Sequence, residues 1–267
     1  MPIDDGDRMR LAATFDAAAA LYGRARPDYP PALFDTLAAA ADLTPGDALL
    51  EVGCGTGKAT LPLAQRGFHL LCVEPGPALA AAARVNLKEF PVQVVETRFE
   101  EWKRPDTFRF RLVFSATAWH WVDPAKRYQL AWEALAPSGH LAFWSAGHVF
   151  PEGGDSFFRE IQDVYEEIGE DRPLGGWPKP GELPDSQDEI LATGLFEPVL
   201  TKHFSWTVRY TADQYVELLE TFSSHIAMED EKRRKLYRAM RHLISQRADP
   251  RVSRGWGAVL NVARRLG

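Results

Sequence analysis

From residue 31 to residue 145, short apolar runs alternate with stretches in which apolar residues recur at helical spacing. Helical periodicity predicts helices at Pro31–Asp42, Ala59–Arg66, Ala78–Glu89 and Pro124–Ala134. Between them, apolar runs ending at Val52, Phe68–Val73, Val92–Val95, Leu112–Ala116 and His140–Ser145 predict buried strands. Leu43–Gly46 and Ala136–Gly139 read as turns. Such alternation implies a parallel sheet with right-handed crossovers. Before it, an Ala-rich helix at Met9–Tyr22 is cut off by Pro27, Pro30 and Pro31. After Gly147 the rhythm changes. Helices are expected at Phe157–Ile168, Ser186–Thr193, Thr211–Met228 and Asp230–Gln246, a Pro/Gly-rich loop at Arg172–Pro184, and strands at Pro198–Tyr210 and Trp256–Ala263.

The most informative junction is Leu49-Leu50-Glu51-Val52-Gly53-Cys54-Gly55-Thr56-Gly57-Lys58, where the first strand ends in an acid and three alternate glycines. Glycine admits positive φ and lets backbone approach a ligand closely. In an open α/β sheet this turn lies at the carboxyl end of the strand, where cofactors bind. A phosphate-binding P-loop needs glycine and a hydroxyl residue where Val52 and Ala59 stand. The dinucleotide fingerprint would place its third glycine at Lys58. The remaining pattern, E-x-G-x-G-x-G, resembles the class I methyltransferases that use S-adenosylmethionine. Glu74, ending the second strand, fits an acid that accepts ribose hydroxyls.

The resemblance extends over most of the chain and is that of the methyltransferase type 11 or 25 group. Segments Tyr22–Pro30 and Phe114–Trp121 are also similar, less closely, to trans-aconitate methyltransferases. It implies an α/β Rossmann-like fold: a seven-stranded, mostly parallel sheet with helices on both faces and an antiparallel last strand. Residues 1–42 would form a helical lid on a core of 43–267, with helical additions around 151–194 and 211–249 covering the site. The loop residues Gly53, Cys54, Gly55, Thr56 and Gly57 would lie against the cofactor, with Glu51 at its amino end and Glu74 and Pro75 at the ribose. Phe99 or Glu100 would meet the adenine, although Arg98 stands where relatives often have Asp or Ser. Ser115, Ala116 and Thr117 would border the cofactor, and Tyr22 and Arg26 would close over it. Tyr29, Trp119, His120, Trp121 and Trp144 would meet the acceptor.

His120 has two readings, a general base or a residue that shapes the site. A carboxylate acceptor needs no base, because the sulfonium activates its own methyl group. The expected reaction is direct methyl displacement onto a small molecule, with a carboxylate as the acceptor of choice. A non-catalytic S-adenosylmethionine binder and a nicotinamide oxidoreductase are the alternatives.

Composition narrows this further. At 267 residues, 45% hydrophobic and 25% charged, with a net charge of −6, the chain reads as a globular protein without the basic footprint of a nucleic-acid binder. No apolar run is long enough to span a bilayer and no signal-like segment is visible, so a cytoplasmic monomer or homodimer is expected. Two cysteines, Cys54 and Cys72, make neither a disulfide framework nor a metal site. From Glu229 onward, eleven Lys or Arg face four Asp or Glu, which reads either as a solvated helix face or as a basic wall attracting an acidic substrate.

Overall fold

A computed structural model of the chain describes residues 19–104, 108–170 and 176–267, with the side chains of Ala19, Ala20 and Tyr22 outside that description. The expected helix at Met9–Tyr22 therefore lies outside the described residues apart from its end, and so do 171–175 of the Pro/Gly-rich loop.

In chain order the elements begin with α1 (Ala19–Ala25), α2 (Pro31–Ala40), β1 (Ala48–Val52), α3 (Thr60–Ala64), β2 (His69–Glu74), α4 (Pro77–Asn86) and β3 (Val92–Glu96). They continue with β4 (Phe110–Ala116), a 3₁₀ turn (Trp119–Trp121), α5 (Arg127–Ala134), β5 (Leu135–Trp144) and β6 (Ala146–His148). Next come α6 (Phe157–Glu160), α7 (Gln162–Glu167), α8 (Gln187–Ala192) and β7 (Phe196–Thr211). The chain closes with α9 (Ala212–Leu219), α10 (Ser223–Ile226), α11 (Asp230–Ser245) and β8 (Arg251–Arg265).

The sheet runs β3-β2-β1-β4-β5-β8, and β7 pairs along the other edge of β8. Strands β1 to β5 are mutually parallel, whereas β8 is antiparallel to β5, β6 and β7. The extra strand β6 resumes the line of β5 on β8 after a break at Ser145: His140–Phe143 face Arg264–Asn261 and Ala146–His148 face Ala258–Trp256. The strand order reverses direction between β1 and β4, so the crevice beyond their carboxyl ends is the topological switch point.

One sheet face packs under α2 and α3, with Leu33, Phe34, Leu37 and Leu63 fully buried. The opposite face packs under α5 and α8 through Tyr128, Ala131, Ala134 and Ile190. A third apolar cluster joins α6, α7, α9 and α11 to the far ends of β7 and β8, around Tyr210, Val252 and Trp256. That cluster is a helical cap with a core of its own. Two helices expected as continuous are broken: Phe157–Ile168 divides at Ile161, and Thr211–Met228 divides at Glu220–Phe222. Helix α9 begins at a reciprocal cap in which Thr211 Oγ1 accepts from Gln214 N–H and Gln214 Oε1 accepts from Thr211 N–H.

Within the expected lid, two parts differ. Burial of Leu33, Phe34 and Leu37 stabilises α2 by about 1.5–3 kcal/mol per side chain, which fixes it in the core. Residues 24–29 instead cross the crevice through polar ties. Arg24 pairs with Glu217, Lys58 donates to Asp28 at 2.8 Å, and Arg26 donates to Thr221. The Arg24 and Lys58 ion pairs are solvent-facing and weak, whereas the Arg26 tie to Thr221 is part-buried.

Candidate functional site

After β1 the backbone enters the left-handed region at Gly53 (φ 72°) and again at Gly55 (φ 56°). These two glycines have different reasons to lack a side chain. A Cβ on Gly53 would lie 2.5 Å from the Cβ of Ala118, so this position lets the loop after β4 approach the loop after β1. A Cβ on Gly55 would meet nothing within 4 Å, because it faces open cavity.

Glu74, nearly fully buried, secures the loop from the side. Its Oε2 accepts from Gly55 N–H at 2.8 Å and its Oε1 from Gly76 N–H at 2.9 Å. Each oxygen retains lone-pair capacity for a further donor. Glu51 is equally buried and accepts from Thr60 Oγ1–H at 2.6 Å. Burial, reinforced by the Glu74 charge and only partly offset by the Thr60 hydroxyl, pushes its pKa up to about 8. Glu51 is therefore protonated at neutral pH until a cation is brought to it.

A cavity of about 680 Å³ opens at the switch point. Gly53, Gly55, Glu74, Pro75, Phe99 and Glu100 wall one side. Ala116, Thr117, His120 and Trp121 wall the other, and Arg26, Phe222 and Ser223 reach in from above. A narrower recess of about 50 Å³ continues inward past Glu51, Cys54, Thr56, Arg26 and Tyr29. The sequence motifs thus converge on one space, joined by Phe222 and Ser223 from the helical addition expected around 211–249, although neither residue was singled out in the sequence.

Arg26 lies against both spaces. Its Nε and Nη2 donate to Thr221 Oγ1 and Thr221 O, both at 2.8 Å, and its guanidinium stacks 4.1 Å from the Phe222 ring. Thr117, a β-branched residue, has φ 57°, a strained backbone for its type. Three hydrogen bonds hold it there: its N–H donates to Trp144 O at 2.7 Å, its Oγ1 bonds Tyr29 Oη at 2.8 Å, and Ala146 N–H donates to the same Oγ1 at 3.3 Å.

At the turn after β3, Glu100 Oε1 accepts from Arg98 Nη2–H at 3.1 Å and from Asp123 N–H at 3.0 Å. Burial would raise the Glu100 pKa, but these donors outweigh it and hold the carboxyl below its usual value. Arg98, unusual by the resemblance, thus shares the cavity wall with Glu100 as its ion-pair partner. Partial desolvation, with the Arg127 charge adding to it, lowers the His120 pKa below 6.5, so the ring is neutral at pH 7.

Several expected residues are placed away from the large cavity. Ser115 is fully buried and donates to Val52 O at 2.8 Å, tying β4 to β1, and does not line that cavity. At Gly57 a Cβ would strike Leu87 at 2.9 Å, so this glycine serves packing beneath α4. Trp119 stacks on Phe143 (5.3 Å, 15°) and Trp144 on Phe114 (6.0 Å, 5°), both inside the core; alternation along strand and turn turns them away from the large cavity that Trp121 lines. They border a second cavity instead. Tyr22 cannot be placed, because its side chain lies outside the described residues.

The basic C-terminal stretch is largely compensated locally. Lys232 and Lys235 pair with Glu170 and Glu167, Arg241 with Asp213, and Arg247 with Asp155. Solvated and paired helix faces, rather than a wall toward the site, account for that charge. Among the described residues, no cluster of His, Cys, Asp or Glu is arranged to hold a metal, and no helix is long and apolar enough to cross a membrane.

An open sheet of this order, with a glycine loop and strand-end carboxylate at its switch point, is a Rossmann-like cofactor-binding architecture. Comparison with known proteins agrees: residues 49–139 match the methyltransferase domain family. An uncharacterized methyltransferase of Mycobacterium tuberculosis is 28% identical over 239 residues, covering 89% of this chain and 88% of that protein. A ubiquinone biosynthesis O-methyltransferase of Alkalilimnicola ehrlichii is 30% identical over 140 residues, 49% of this chain and 57% of that protein. Among solved structures, a candidate type II methyltransferase from Anaeromyxobacter dehalogenans superposes with a TM-score of 0.61 at 20% identity, over 90% of this chain and 97% of that one. These matches support a class I S-adenosylmethionine-dependent methyltransferase, with S-adenosylmethionine as methyl donor and residues 49–139 as the matched methyltransferase domain. These relatives carry the class and do not extend to a trans-aconitate methyltransferase.

Proposed function

We propose that this enzyme methylates a small-molecule acceptor presented at His120, while the glycine loop and Glu74 grip the cofactor. The observation that carries this reading is the single cavity joining Gly53, Gly55 and Glu74 to Thr117, His120 and Trp121. The cradle fits the cofactor: side-chain-free backbone at Gly55 faces open space, and both Glu74 oxygens are fixed yet able to accept ribose hydroxyls. Phe99 and Glu100 stand at the adenine end. In the inner recess, Glu51 would meet the amino group and Arg26 the carboxylate of the methionyl part.

When bound, S-adenosylmethionine supplies a methyl group activated by its sulfonium charge, for in-line displacement. What the chain must add is alignment and exclusion of water. Thr117, locked by Tyr29 and β5, and the 24–29 strap above it do both. Neutral His120 can take a proton from a hydroxyl acceptor, whereas a carboxylate needs none. With the C-terminal helices compensated and Arg26 assigned to the cofactor's carboxylate, the support for a carboxylate acceptor is that it needs no base. The acidic overall charge favours a small acceptor over nucleic acid, in a cytoplasmic monomer or homodimer.

Calorimetric titration with S-adenosylmethionine tests the cofactor part; no binding at millimolar ligand would refute it. Methyl transfer assayed on carboxylates and phenols side by side tests the acceptor part. Methylation of phenols alone would discard the carboxylate and leave His120 as the base.

A further inference from the structure

A second cavity of about 300 Å³ lies on the α5 and α8 side of the sheet, and the cofactor reading leaves it unused. It shares His120 and Ala146 with the large cavity, so the two meet at the place where methyl transfer is expected. Its volume is at the lower end of the roughly 300–1,000 Å³ typical of small-molecule sites.

The chamber is built from the far end of the sheet and a fixed roof. Its floor is the Trp119–Phe143 stack with Val259 beside it. Its roof is Leu183 and Pro184, pinned at both ends: Ser186 N–H donates to Asn261 Oδ1 at 3.2 Å, and His203 Nε2 lies 3.0 Å from Leu183 O. Arg127 and Glu189 face the chamber as an ion pair, and Arg127 Nη1 also donates to Trp119 O at 3.1 Å. The one guanidinium in this wall is thus already compensated by a carboxylate. A second anion entering the chamber would have to displace Glu189 or remain unpaired away from water, which is costly.

We infer that this chamber receives the uncharged, ring-sized body of the acceptor, whose single oxygen nucleophile projects past His120 toward the methyl donor. The inference rests on the proposed cofactor site and names the acceptor class: a monocarboxylic acid or phenol on an apolar body. Di- and tricarboxylates are excluded by the paired Arg127. In the transfer, the acceptor oxygen forms the new O–CH₃ bond as the S–CH₃ bond breaks and its electron pair returns to sulfur. A phenol proton passes to His120.

Two variants fill the chamber without touching the cofactor cradle. A Cβ on Gly147 would sit 3.8 Å from Leu183, an ordinary contact, so Gly147→Leu extends into the space without forcing the backbone. Val259→Phe fills it from the floor. Phenylacetate, 4-ethylphenol and citrate are titrated into the protein with and without S-adenosylhomocysteine, followed by tryptophan fluorescence, and then assayed for methyl transfer from labelled S-adenosylmethionine.

We expect saturable binding and turnover of phenylacetate or 4-ethylphenol and neither for citrate. Either filled variant should weaken acceptor binding and raise acceptor KM at least tenfold, with S-adenosylhomocysteine affinity unchanged. Unaltered acceptor binding in both variants, citrate turnover matching the ring compounds, or no binding of either ring compound would overturn the inference. If S-adenosylhomocysteine still binds in those cases, the cofactor reading stands; if it does not bind the parent protein, that reading fails first.

Discussion

The two walls of the crevice are built in opposite ways. The wall after β1 and β2 comes from two short chain segments, and its ligand-facing groups are backbone amides and a carboxylate fixed by two of them. The wall after β4 is assembled from distant parts: Arg26 and Tyr29 of the strap, His120 and Trp121 of the 3₁₀ turn, Phe222 and Ser223 of the cap. Backbone donors held by sheet and loop geometry suit a ligand that never changes. Side chains borrowed from separate elements can be exchanged one by one, which suits the partner that differs from enzyme to enzyme.

The sharpest way to break this contrast is at Gly53. Gly53→Ala forces a Cβ to 2.5 Å from Ala118 on a left-handed backbone. The expected loss of stability is roughly 2–5 kcal/mol, from strain and overpacking together. Denaturant unfolding of the free protein checks it, and a loss below about 1 kcal/mol would show that the two loops do not need this closeness. Gly55→Val separates ligand from fold. Its side chain meets only open cavity, so thermal stability should fall by no more than strain requires, while calorimetry should show cofactor affinity reduced at least a hundredfold. Retained affinity would remove the loop from the site.

That asymmetry also explains what the sequence disclosed. The β1 wall was readable because E-x-G-x-G-x-G and Glu74 stand within one strand–helix–strand unit, where spacing fixes geometry. The parallel sheet followed from the same alternation, and the antiparallel β8 from the family resemblance. That Ser115, Trp119 and Trp144 face away from the large cavity was not legible, because residue type at a strand end does not tell which face a side chain takes; a single step in register decides it. The roles of Phe222, Ser223 and Arg127 arise only once helices far apart in sequence meet. The paired charges of α11 were invisible for the same reason, since Glu167, Glu170 and Asp213 come from other elements.

On the acceptor wall, His120→Asn distinguishes base from spacer. If His120 removes a proton, the variant should lose about a hundredfold in turnover of a phenol and little with a carboxylate. Its lowered pKa sets the sign of the pH profile: phenol turnover should rise as pH climbs through a value below 6.5 and level off at neutrality. Equal losses on both acceptors would reduce His120 to a shaping residue.

Glu51 tests the inner end of the cofactor wall. Its folded pKa, raised from 4.5 to about 8, means that the unfolded chain ionises first, so this group costs the fold stability progressively as pH rises from about 4.5 to about 8. An ammonium placed beside it would draw its proton off. Binding of S-adenosylmethionine at pH 7 should therefore release up to one proton, seen as a binding enthalpy that varies with the ionisation enthalpy of the buffer. Glu51→Gln should abolish that dependence, reduce affinity about tenfold, and flatten the loss of stability between pH 5 and pH 8, within the window set by those two pKa values. A buffer-independent enthalpy in the parent protein would place the amino group elsewhere.

The smallest expected effect joins the two walls. Tyr29 Oη and Thr117 Oγ1 are the point at which the strap holds a residue that would otherwise leave φ 57°. Tyr29→Phe should cost about 1 kcal/mol, the usual worth of one hydrogen bond. Thr117→Gly relieves the backbone strain while deleting the same bond. If the strap's hydroxyl exists to hold that strain, the two changes cannot add: once Thr117 is glycine, losing the Tyr29 hydroxyl should cost almost nothing. A double-mutant cycle on unfolding free energy measures this, and on turnover it shows whether the strap positions the acceptor wall. Additive losses would mean that the Tyr29 hydroxyl acts independently of Thr117, leaving the strained turn to be held by β5 and Ala146.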